Sequence, residues 1–112
     1  MKKIIVKNLI KSNSATSPEK AKPLYDLLIK SFNDKEKVSV DFSDLTTITT
    51  AFFNSSIGKL YSVYSPDRLN EFIKLDGSTL TKLQFDKLKL VIQNAKSKLS
   101  EDDIREEMDW KL

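Results

Sequence analysis

The residues able to do chemistry in this 112-residue chain crowd into one stretch, positions 38–60, VSVDFSDLTTITTAFFNSSIGKL. Asp41 and Asp44 lie at a strand end and could face a divalent cation. Hydroxyls follow at Ser43, Thr46, Thr47, Thr49, Thr50, Ser55 and Ser56, and Lys59 comes near the end of the run. Two carboxylates three residues apart, with no third oxygen ligand in view, do not define a metal site, so no metal or other cofactor is assigned. The chain contains no His and no Cys. This removes the commonest general base, thiolate nucleophiles and the commonest transition-metal ligands together. An enzyme here would have to use Asp41, Asp44 or Lys59, and these form no acid–base pair. The expectation is a non-enzymatic protein without catalytic residues, whose hydroxyl-rich run serves recognition or modification.

The elements around this stretch follow from periodicity. A β-branched apolar run predicts a first strand at about residues 3–7. The loop KSNSATSPEK leads into a helix with Ser17 as N-cap and Pro18 at its first position. Pro23 then requires either a start nearer Lys20 or a kink. Leu24, Leu27, Leu28 and Phe32 give this helix one apolar stripe. Val38, Val40 and Phe42 alternate with polar residues as a second strand. A middle helix is predicted from about Thr50 to Tyr64, capped by Thr49 or Thr50 and stopped by Pro66. Its stripe is Phe53, Ile57, Leu60, Tyr61 and Tyr64. EFIKLDG (71–77) reads as a third strand. A third helix begins at a capping box formed by Thr81 and Gln84, with Leu80 and Phe85 in the staple positions. It continues through Leu88, Val91, Ile92, Ala95 and Leu99, although LKLVI alone would also suit a strand. The order is β-α-β-α-β-α, an α/β fold with a small parallel or mixed sheet and helices packed on it.

Length predicts one domain, residues 1–99, followed by an acidic tail, 100–112, that forms a short helix or frays. No apolar run reaches the roughly 20 residues a membrane helix needs, and the N-terminal MKKIIVKNLIK is too interrupted for a signal peptide. A chain without cysteine fits a reducing, cytoplasmic setting. The net charge of +3 hides an asymmetry: the tail holds six acids against two bases, which leaves the other 99 residues at +7. A basic body suits an acidic partner or nucleic acid. However, 17 of the 19 basic residues are Lys, and Arg is the residue that reads bases and phosphates in bidentate fashion.

Within the middle helix, adjacent Phe52 and Phe53 cannot share a face. Phe53 belongs to the apolar stripe, so Phe52 points to a second buried surface or to a partner. Phe52, Ser55, Ser56 and Lys59 form a candidate outward strip. Gly58, unfavourable inside a helix by about 1 kcal/mol relative to Ala, marks a close approach to a strand or another chain. Thr49 and Thr50 sit where the helix dipole would favour an anion, including a phosphate placed on a hydroxyl. Trp110 has no place in the predicted core and would dock the tail or anchor a partner.

The run DFSDLTTITTAFFNSSIGKL, together with EKAKPLYDLL upstream, resembles the STAS-like family of bacterial and phage proteins of unknown function (DUF4325) over about residues 12–95. The wider resemblance is to anti-sigma-factor antagonist STAS domains. It implies a STAS-like fold and a regulatory, protein-binding role. In those antagonists a partner kinase of ATPase type phosphorylates a Ser in an Asp-Ser-Ser-Gly-like motif at the start of the equivalent helix. That motif falls here on Thr49-Thr50-Ala51-Phe52, which places Thr50 at the phospho-acceptor position. Thr49 replaces the acid and Phe52 the glycine. The expected partner-binding surface is Thr49, Thr50, Phe52, Ser55, Ser56 and Lys59. The alternative is a lysine-rich nucleic-acid-binding accessory protein of phage or mobile-element origin.

Overall fold

The structure is a computed structural model that describes residues 1–111, with side chains to Lys96. The Trp110 side chain lies outside the described side chains, and the backbone of residues 100–111, expected as a separate tail, continues the last helix. Five strands are β1 (Lys2–Ile5), β2 (Ser14–Ala15), β3 (Val38–Asp41), β4 (Thr47–Ile48) and β5 (Ile73–Asp76). The α-helical segments are α1 (Val6–Ile10), α2 (Pro18–Asn33), α3 (Thr50–Phe53), α4 (Lys59–Tyr61), α5 (Pro66–Phe72) and α6 (Lys82–Lys111). A π-helical turn, Asn54–Gly58, joins α3 to α4, so residues 50–61 form one continuous middle helix.

β1, β3 and β5 form a three-stranded parallel sheet with β3 at its centre. The register aligns Ile4 with Val40 and Val38 with Ile73, and all four are buried. Because strand side chains alternate, Lys3 and Lys74 lie on the opposite face, where both are exposed. The helices cover the apolar face, and the middle helix packs between α2 and α6. The sheet is parallel with helical crossovers, as the alternating sequence pattern predicts.

Several local predictions hold at atomic detail. The Ser17 hydroxyl accepts from the Lys20 N–H at 3.2 Å and caps α2, with Pro18 in the first turn. α2 runs on through Pro23. Pro23 is exposed, so the Glu19 carbonyl that loses its helical donor lies on a wet face. The capping box of α6 is reciprocal: Gln84 N–H donates to the Thr81 hydroxyl at 3.2 Å, and Thr81 N–H donates to Gln84 Oε1 at 3.0 Å. The Phe85 ring lies over Gly77, where an added Cβ would come within 2.5 Å of it.

Other elements differ from the prediction. The first strand stops at Ile5, and Val6 opens the single turn α1, closed by Lys11 in the left-handed region at φ 55°. An apolar β-branched run suits either element by periodicity, and Val6 is fully buried in the helical turn. The middle helix ends at Tyr61, short of the predicted Tyr64 and before Pro66 is reached, and Pro66 instead starts α5, which takes Glu71 and Phe72 out of the predicted strand. Proline is well suited to the first helical position because its missing N–H would have no partner there. Asp67 in the first turn and buried Leu69 support the new helix.

Candidate functional site

The start of the middle helix is built by long-range backbone bonds. The short pair β2–β4 aligns Ser14 with Thr47 and Ala15 with Ile48. Asn13 O accepts from Thr46 N–H at 2.8 Å, and Ala15 O accepts from Thr49 N–H at 3.0 Å. The Thr49 hydroxyl donates to Thr16 O at 3.1 Å and accepts from Phe52 N–H at 3.2 Å. Thr49 is therefore the N-cap, and its hydroxyl is occupied on both counts. Thr50 is the first helical residue and is exposed. The first turn of α6 lies beside this entry, where Gln84 Nε2 donates to Leu45 O at 3.4 Å and Lys87 Nζ to Ile48 O at 3.5 Å.

Two of the residues expected on the partner-binding surface are interior. Phe52 and Ser56 are both 0% exposed. The stripe Phe53, Ile57, Leu60 and Tyr61 is only part of the buried side. Phe52, Ser56 and Leu60, four residues apart, form its other half, and together they cover about 180° of the helix at roughly 100° per residue. The arc is wide because α2 and α6 close on the helix from both sides while the sheet covers its floor. Phe52 packs edge-to-face on Phe53, at 6.4 Å between ring centroids, and Phe53 on Phe42 at 5.9 Å. The buried Ser56 hydroxyl has a partner, donating to Phe52 O at 2.8 Å. A hydroxyl that takes a carbonyl one turn back competes with the helical ladder, which fits a π turn at this point. Gly58 closes that turn. A Cβ there would stand 2.9 Å from Val91 Cγ1 of α6, so the close approach read from its presence is to α6.

What remains accessible is a ridge. Thr50, Ala51, Asn54 and Lys59 are exposed, and Thr49 and Ser55 are half-buried. The ridge separates two clefts. The one toward α6, about 440 Å³, is lined by Asn54, Ser55, Gly58, Lys59, Ser62 and Asn94 among others. The one toward α2, about 290 Å³, is lined by Pro18, Lys22, Tyr25, Asp26, Ser55 and Lys59. Ser55 and Lys59 line both. The Lys59 ammonium lies 4.4 Å from the Tyr25 ring centroid, a cation–π contact that holds the lysine over the α2-side cleft. Burial, with smaller contributions from Tyr64 and Asp26, raises the Tyr25 phenol above its ordinary pKa. Tyr25 and Asn94 had no distinguishing signal in the sequence; packing of α2 and α6 alone brings them to the ridge.

The carboxylates at the end of β3 do structural work. The Asp41 carboxylate accepts from Ser43 N–H at 2.7 Å and pairs with Lys3 at 3.1 Å across the open sheet face. The Ser43 hydroxyl and N–H, with a smaller contribution from Lys3, hold the Asp41 carboxyl below the usual range. Asp44 is exposed in the left-handed region at φ 63°. Among the described residues, no three carboxylates gather where a metal ion could sit. No described helix is long and apolar enough to cross a membrane.

A three-stranded parallel sheet with helices on one face, and a middle helix entered through a hydroxyl-rich loop, defines a small α/β module of STAS type. The model of the STAS-like domain of unknown function (DUF4325) matches residues 20–81, more than half of the chain, and the protein belongs to that family. Neither a curated protein nor a solved structure shows significant similarity to the chain.

Proposed function

We propose that this chain is a non-enzymatic, cytoplasmic regulatory module that binds a protein partner over the exposed ridge of its middle helix. The observation that carries the reading is that Ser55 and Lys59 line clefts on both sides of that ridge. A partner seated there would meet short polar side chains and one fixed cation, with Thr50 at the leading end. Phe52 and Ser56 support the ridge from below. Thr50 is the candidate acceptor for a partner kinase: its side chain is exposed at the first helical position, where a phosphate would lie at the positive end of the helix dipole.

The test is site-specific photocrosslinking in cells that produce the protein, with the crosslinker at Ser55 and, as control, at exposed Lys35. A discrete adduct from position 55 that is absent from position 35 and lost in Lys59→Glu is the expected result. Adducts common to both positions, or none from position 55, would refute the ridge as the binding surface.

A further inference from the structure

A third cleft, of about 520 Å³, opens between α6 and the edge strand β5, with Tyr61 from the end of the middle helix also in its lining. Ile73 and Leu75 of β5 and Phe85, Leu88 and Ile92 of α6 give it an apolar lining. Lys74, Lys89 and Lys96 also border it, and all three are exposed. The Lys89 ammonium lies 5.6 Å from the Phe85 ring centroid, at the mouth of the apolar part. None of the three lysines has an ion-pair partner among the described residues. An oily floor bordered by unneutralised cations selects for an amphipathic segment that carries acids beside its apolar residues.

The chain itself has such a segment. Residues 100–112 carry a net charge of −4, with Ile104 and Met108 four residues apart among Glu101, Asp102, Asp103, Glu106, Glu107 and Asp109. No Gly or Pro follows Gly77, and α6 is a single helix, Lys82–Lys111. A continuous helix carries residues 100–111 along its axis past the cleft that its own earlier turns line, so they do not fold back there. We infer that the acidic C-terminal segment of one copy occupies the lysine-bordered cleft of a second copy. Reciprocal exchange closes the assembly as a two-fold dimer. This surface is separate from the middle-helix ridge, so each proposal can fail without the other.

The test uses the full chain in sedimentation equilibrium from low micromolar to near-millimolar protein. At low salt a monomer–dimer equilibrium is expected, shifting to monomer as salt screens the contact. Lys74→Glu with Lys89→Glu should weaken the dimer by about tenfold or more, and so should Glu106→Lys with Glu107→Lys. Circular dichroism establishes that each variant is folded. An equimolar mixture of the two variants should recover dimer, because the unaltered acidic segment of the first variant then meets the unaltered lysine-bordered cleft of the second, while the second's segment, now net neutral, no longer opposes the first's acidic cleft. A chain that stays monomeric at low salt, a dimer indifferent to both charge reversals, or a mixture that fails to associate would each overturn the proposal.

Discussion

Gly58→Ala tests how the middle helix is seated. In an ordinary exposed helix this change stabilises by about 1 kcal/mol, because Ala loses less backbone freedom on folding. Here the new Cβ would stand 2.9 Å from Val91 Cγ1, where van der Waals contact between carbons needs roughly 3.5 Å. Val91 is 2% exposed and β-branched, so its χ1 has no free well to turn into. Overpacking of this kind costs about 1–3 kcal/mol. The net effect expected is destabilisation by about 1 kcal/mol, the difference between the two contributions. Val91→Ala removes the obstructing methyl groups, so in that background Gly58→Ala should stabilise by about 1 kcal/mol, a coupling of about 2 kcal/mol. Urea denaturation followed by circular dichroism at constant m-value measures all four corners of the cycle. If Gly58→Ala changes stability equally in both backgrounds, the two helices do not meet at this pair, and the account of the α6-side cleft built on that contact fails.

Phe52→Ala should cost about 3–5 kcal/mol as a large-to-small core substitution, a large share of the stability of a domain this size. Its denaturation midpoint would fall sharply, and loss of any partner would follow from unfolding. An unchanged midpoint would place Phe52 at the surface after all. Asp41→Asn should destabilise by about 1 kcal/mol at neutral pH through loss of a charge-assisted hydrogen bond and the Lys3 pair. Because the folded-state pKa of Asp41 is lowered, this contribution is present above the unfolded value near 3.8 and disappears as pH falls through the folded one. Denaturation curves of the two proteins should therefore converge at acidic pH, and a gap that persists undiminished there would exclude the linkage.

Local chemistry was legible in the sequence because it is decided within a few residues. The caps at Ser17, Thr49 and Thr81, the alternation of Val38 and Val40, and the β-α-β order each depend on neighbours in the chain. The motifs between positions 20 and 81 sufficed for the family. Which residues reach a partner was not local. Phe52 and Ser56 disappear because α2 and α6 close on the middle helix from both flanks, and a single helix's period cannot report how many neighbours it has. The two clefts, the contact of Lys59 with Tyr25 and the approach of Gly58 to Val91 bring together residues dozens of positions apart. Only tertiary packing fixes such distances, since each depends on the volumes of side chains from several elements filling one space.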